Sequence, residues 1–259
     1  MRRVTDEVAP GAPRQRARAA GEAAVVGLGA SALAGGVGAL VHPVVALGLG
    51  IVAGLNGLIS GWRGIYAWRR ADGWLAAALD STWATVPVAL GLLAHLGAAF
   101  GGDAGYASAL SSRRNRHVYR RGVTLKRGFA FTIGNVVSGA GEVDGNARRT
   151  RLITDHEDVH VWQSRWFGPT YPLLYGLWAA GAAAVGLLVW LRRGRREPIA
   201  RVIESCSYYT NPFEWWAYSR DDHWPPHGKL AGIGWRSPAA RPLATVARHV
   251  RRTDDGARH

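Results

Sequence analysis

The stretch His156-Glu157-Asp158-Val159-His160-Val161-Trp162-Gln163 decides how the rest of this chain is read. On a helix, residues four apart stand one turn apart on one face, so His156 and His160 can reach a single metal ion. Glu157 then sits beside that ion, where a carboxylate can take a proton from an activated water. A shuffled chain of this composition carries such a pentapeptide in roughly 1% of cases, so the signal is real but fallible. The competing reading is a surface helix with two incidental histidines, in which Glu157 closes a Thr154-x-x-Glu157 capping box. Gly168-Pro169 predicts a stop one turn after Gln163, which makes the helix short and well delimited.

A catalytic zinc needs a third protein ligand and one open position. Downstream, Asn211-Pro212-Phe213-Glu214-Trp215-Trp216-Ala217-Tyr218 reads as a new helix with Pro at its first position. Glu214 falls in the first turns, and Ala217 is small enough for close packing. An ordinary helix-start carboxylate, favoured by the helix dipole, is the plainer account of Glu214. His223 and His227 compete with it as ligands.

Together, H-E-x-x-H-x-x-Q and a later E-x-x-A resemble the gluzincin branch of the zincin metallopeptidases, over roughly residues 129–218. The resemblance implies Zn2+ held by His156, His160 and Glu214, with Glu157 as general base and a polypeptide as substrate. One position departs from the family pattern: Tyr218 stands where an Asp orients a ligand histidine, a role that Asp155, Asp221 or Asp222 can take over. Tyr218 and His223 are candidates for stabilising an oxyanion.

Upstream, Gly128 to Ser138 is rich in Phe, Ile, Val and Thr and reads as a strand. Gly139-Ala140-Gly141 and Asp144-Gly145-Asn146 read as turns, which predicts a small sheet or hairpin. In the zincins an edge strand before the metal helix holds extended substrate by main-chain hydrogen bonds, and this stretch fits that plan.

The rest of the chain predicts membrane. Ala23 to Trp62 contain no Asp, Glu, Lys or Arg, which is enough for two spans, with His42-Pro43 at the turn. Gly27, Ser31, Gly35 and Ala39, and then Ala46, Gly50 and Gly54, recur every four residues, a pattern that lets two helices approach closely in lipid. A third apolar run covers 74–101, with Asp80 expected at the interface, Trp74 and Trp83 as interfacial anchors, and His95 as a packing histidine. A fourth, 172–191, ends in Arg192-Arg193-Gly194-Arg195-Arg196. The expected organisation is a basic disordered tail (1–22), a glycine-rich transmembrane hairpin (23–62), a third membrane helix (74–101), a zincin-like domain (113–236) interrupted by an apolar helix (172–191), and a disordered tail (237–259). The fold class is mainly α: multi-pass membrane helices plus a small α+β zincin-like domain with a short hairpin or sheet.

This organisation contains a conflict. If 172–191 crosses once, His160 and Glu214 lie on opposite sides of the bilayer. Either one apolar run does not cross, or 197–213 returns towards the site, or Glu214 is no ligand. Three clean crossings before residue 101 would also put the basic stretch 113–127 outside, against the positive-inside rule. A cytoplasmic site on a multi-pass cell-membrane protein, with one run not crossing, is the expectation.

Net charge is +14, yet only Lys126 and Lys229 among the 32 basic residues are lysines, as expected of a high-GC bacterial sequence. The stretch Arg113 to Arg121 is expected at anionic lipid head groups. No nucleic-acid-binding motif is present, so no nucleic acid is expected as partner. The single cysteine, Cys206, excludes an intrachain disulfide and a Cys-pair zinc site. Three functions fit: a membrane-bound zinc peptidase, a non-catalytic zincin-like metal module, and a glycine-rich membrane protein without metal.

Overall fold

A computed structural model describes residues 13–102, 104–124 and 128–220. The chain forms two compact units, one ending at Tyr171 and one starting at Pro172. The architecture is mainly helical with one small sheet, and three helices are long and apolar enough to cross a membrane: Pro13–Ala39, Pro43–Arg63 and Thr170–Arg192.

The first unit begins with α1 (Pro13–Ala39) and α2 (Pro43–Arg63). Residues 13–22, expected in a disordered tail, are the first turns of α1. Pro13 suits a helix start, and the Arg, Gln and Ala that follow are strong helix formers. The expected tail residues 1–12 and 237–259 lie outside the described residues. His42 caps α2, its Nδ1 accepting from Val44 N at 3.2 Å, and Pro43 takes the first helical position. The two helices press backbone to backbone. A Cβ on Gly57 would meet Val26 O at 2.7 Å, and one on Gly61 would meet Glu22 O at 2.6 Å.

The apolar run 74–101 is not one straight helix. It is split into α3 (Ala71–Asp80) and α4 (Thr85–Phe100), bent by 87° as in a broken span or a re-entrant loop. Residues 81–84 close the corner: Ser81 and Thr82 hydroxyls donate to the Ala77 and Ala78 carbonyls, capping the end of α3 instead of continuing it.

After a short helix α5 (Ser108–Ser111) come β1 (His117–Val118), β2 (Phe131–Ile133) and β3 (Val136–Ser138). The sheet order is β1-β3-β2, with β1 parallel and β2 antiparallel to β3. The stretch 128–138 is therefore a hairpin and not one strand. Ile133 pairs with Val136 across a two-residue turn, Gly134-Asn135, in which Gly134 has φ +58°. Gly with positive φ at the first turn position matches the right-handed twist of the strands. Gly91 of α4 packs on this turn, 3.2 Å from Ile133 O to a notional Cβ.

α6 (Ala147–Arg151), a π-helical turn (Leu152–His156) and α7 (Glu157–Phe167) form one continuous helical rod. Ile153 and Val161 on it are fully buried against Val118, Val137 and Ala140 of the sheet region. Gly168, at φ +50°, stops α7 where expected.

The second unit contains most of α8 (Thr170–Arg192), then α9 (Ile199–Ser207) and α10 (Pro212–Tyr218). The turn after α8 contains Gly194 and Arg195 at positive φ and is tied by Arg193 to Glu197 at 2.7 Å. The chain then runs back along α8. Val202 packs on Val189, Cys206 lies against Gly186, and Phe213 stacks on Tyr175. Fourteen residues separate Val189 from Tyr175, so this return covers ~21 Å of helix.

Candidate metal centre

α7 carries the motif on its buried face. His156 and His160 are 2% and 6% exposed, and their Nε2 atoms lie 3.3 Å apart. Two nitrogens bound to one tetrahedral zinc at ~2.05 Å stand ~3.3 Å apart. His160 Nδ1 lies 2.8 Å from Gln163 Oε1, which accepts from it, leaving the Nε2 lone pair for a metal. Tyr171, at the start of α8, donates to the same Gln163 oxygen at 3.1 Å.

Glu157 is 6% exposed and does not close a capping box: Thr154 Oγ1 donates to Asp155, one residue on, within the π-helical turn. The Glu157 carboxylate is instead held by Thr132 of β2, whose hydroxyl donates to Oε2 at 2.6 Å. β2 is the edge strand in the order β1-β3-β2, so the general-base candidate lies beside the edge of the sheet. Asp158 pairs with the buried Arg116.

In the second unit, Asn211 caps α10 by accepting from Phe213 N at 3.0 Å, and Pro212 takes the first helical position. This is the helix start the sequence predicts, and it places Glu214 in the first turn with Ala217 fully buried. Tyr175 donates to Glu214 Oε1 at 2.8 Å. His156, His160 and Glu214 are all buried, and one ligand atom of each lies within 4.8 Å of the others, so the group can hold a metal ion.

Other candidates are distributed differently. Tyr218 Oη lies 3.4 Å from Tyr208 Oη. Asp221, Asp222, His223 and His227 lie outside the described residues.

In the basic stretch 113–121, the backbone enters the sheet at β1, where residues 115–119 are buried. Arg116 is 4% exposed, Arg113 bonds Glu22, and Arg120 bonds Glu142 and Asp144, while Arg113, Arg114 and Arg121 are exposed. Asp80 is 1% exposed and pairs with Arg165 of α7 at 2.8 and 2.9 Å. Tyr66 donates to Asp80 at 3.0 Å, and Asn135 bonds Asn56 at 2.9 Å. Ser60 reaches His117 Nε2 at 3.0 Å, and Tyr106 reaches its Nδ1 at 3.1 Å. Burial first, then the nearby His95, Arg63 and Arg165, push the His117 pKa well below its ordinary value, so the ring is neutral. His95 is a packing histidine, bonded to Tyr119 Oη at 2.8 Å and edge-on to His117.

No family model, curated protein or solved structure matches this chain. The functional reading therefore rests on geometry. Thr132, Gln163, Tyr171 and Tyr175 are the supporting residues that sequence reasoning left without a role. Gln163 alone had a local signal, standing one turn after His160. The π-helical turn had none, although such turns often mark functional sites.

Proposed function

We propose that this protein is a membrane-embedded, zinc-dependent peptidase whose metal ligands are His156, His160 and Glu214. The observation that carries the reading is the 3.3 Å separation of two buried Nε2 atoms directly beside a carboxylate held by an edge strand. Two imidazoles and one carboxylate are a donor set suited to zinc. A divalent ion there supplies Lewis acidity, polarising a scissile carbonyl and acidifying water. Glu157 takes the proton from the attacking water on its carboxylate and delivers it to the departing amine. Thr132 holds one oxygen of that carboxylate and so orients the other. β2 receives an extended polypeptide by strand addition at its open edge. Gln163 and Tyr171 fix the His160 tautomer, and Tyr175 holds Glu214.

The topology follows the same reading. Arg113 N donates to Gly64 O at 3.0 Å and Asn115 N to Ile65 O at 2.8 Å. The chain thus leaves α2 and, fifty residues later, returns to the same place. On this basis α3 and α4 dip into the bilayer without crossing it, and α1 and α2 form the crossing pair. The basic segments 63–70 and 113–121 then share the cytoplasmic side, in accord with the positive-inside rule. The return of α9 and α10 along α8, with Tyr175 donating to Glu214 at 2.8 Å, supports a Glu214 on the side where α8 begins.

A second reading, a closed structural metal site, is favoured by burial: Glu157 and all three ligands are at most 6% exposed. An imidazole N–H···N bond also spans 3.3 Å, so metal content decides first. Purified protein in detergent is expected to contain about one zinc per chain, lost in His160→Ala and in Glu214→Ala. Glu157→Gln is expected to keep the zinc and lose hydrolysis of a peptide library by at least ~100-fold. Unchanged turnover in Glu157→Gln would sink the peptidase reading, and metal-free wild type would sink both.

A further inference from the structure

Between α1 and α3 lies an apolar groove of about 530 Å³. Val25, Gly29 and Leu33 form one wall and Trp74, Ala77 and Ala78 the other. These are not core residues: Val25 is 73% exposed, Leu33 53% and Trp74 63%. One end is polar. There Glu22 is already engaged, accepting from Trp68 Nε1 at 2.7 Å and from Arg113 at 2.5 and 2.7 Å. The cations around this end outnumber it. Arg14 and Arg18 are exposed on the turns of α1 that precede the groove, and Arg69 is exposed just before α3, where its neighbour Arg70 is paired with Asp72 at 2.9 Å. From Arg18 to Leu33, α1 extends ~22 Å, about the depth of one leaflet with its head groups.

We propose that this groove binds one acyl chain of an anionic phospholipid, with the lipid phosphate held by Arg18 and Arg69. Three features select that occupant. The floor lies on a helix apolar enough to cross a membrane, so lipid tails are its natural neighbours. The cationic rim complements a phosphate and an anionic head group, to which nearby basic residues are attracted. Trp74 and Trp68, meeting edge to face at 4.9 Å, place amphipathic rings at the boundary between the charged rim and the apolar floor. The site shares no residue with the metal group.

Gly29 offers a direct test. A Cβ there would meet nothing within 4 Å, so Gly29→Phe fills the groove without striking backbone, and leaving Gly improves helix propensity. The full-length protein in detergent would be titrated with dioleoyl phosphatidylglycerol and, separately, dioleoyl phosphatidylcholine, with bound lipid counted by native mass spectrometry. Wild type is expected to take up one phosphatidylglycerol at least tenfold more tightly than phosphatidylcholine. Gly29→Phe should weaken that binding at least tenfold with unchanged helical circular dichroism. The double variant Arg18→Gln, Arg69→Gln should abolish the preference between the two lipids. Equal phosphatidylglycerol binding by Gly29→Phe, or no preference in wild type, overturns the proposal. A wild-type dimer that Gly29→Phe dissolves would assign the groove to a second copy and overturn it equally.

Discussion

Around the two histidines, single side chains divide the work in a way composition alone does not reveal. Gln163 is a clear case. Its amide oxygen accepts from His160 Nδ1 at 2.8 Å and from Tyr171 at 3.1 Å, so it fixes both the ring and the tautomer. Partners of this kind tune metal affinity by 10–100-fold. Gln163→Ala is expected to lower zinc affinity within that range while leaving the fold intact, measured by competition with a chromophoric chelator. Gln163→Glu, which keeps the acceptor, should restore most of the loss. Affinity unchanged in Gln163→Ala would remove the residue from the site. Asp80 shows the limit of sequence reading at this scale. Its partner Arg165 lies 85 positions away, and no local pattern announces that the pair will meet in the interior. A buried pair of this kind is costly to break, because removing one partner strands the other charge.

Among the elements, local chemistry was legible and long-range choice was not. Asn211-Pro212 starts α10 because a cap and an N-terminal proline act within three residues. Gly168 ends α7 for an equally local reason. The stretch 128–138 concealed its turn, since apolar residues continue on both sides of Gly134-Asn135. The dipeptide itself is a recognised two-residue hairpin signal and could have located it. That turn is also where α4 rests on the sheet. A Cβ on Gly134 would lie 2.3 Å from Pro87 O, and its φ is +58°. Gly134→Ala is therefore expected to destabilise the first unit by ~2 kcal/mol or more, through the left-handed backbone and the clash together. A fall in thermal midpoint would show it, whereas an unchanged midpoint would mean that the turn relaxes freely. The break of 74–101 into α3 and α4 was hidden for a different reason. Apolarity reports that a segment avoids water and carries no information on whether it bends.

For the molecule as a whole, helices long and apolar enough to cross a membrane and the H-E-x-x-H motif were legible in the sequence, while backbone pairing between distant segments supplied the arrangement of the first unit. The backbone bonds joining Gly64 and Ile65 to Arg113 and Asn115 are the decisive example. They lead to a concrete expectation for sidedness. Cys206, the sole cysteine, is buried, so introduced cysteines report cleanly. With a membrane-impermeant maleimide on intact cells, Val41→Cys in the loop between α1 and α2 should label, and Arg114→Cys should label only after lysis. Labelling of both from outside, or the reverse order, would refute a cytoplasmic site.

The return of α9 and α10 along α8 also has a consequence in time. A ribosome delivers His156 and His160 well before Glu214, and Glu214 reaches the level of Tyr175 only after the chain has reversed direction past Arg195. On the proposed ligand set, a nascent chain holds two of the three protein ligands from His160 until Glu214 is made. On that ligand set, a complete metal site waits until Glu214 has been made and α10 has folded back along α8.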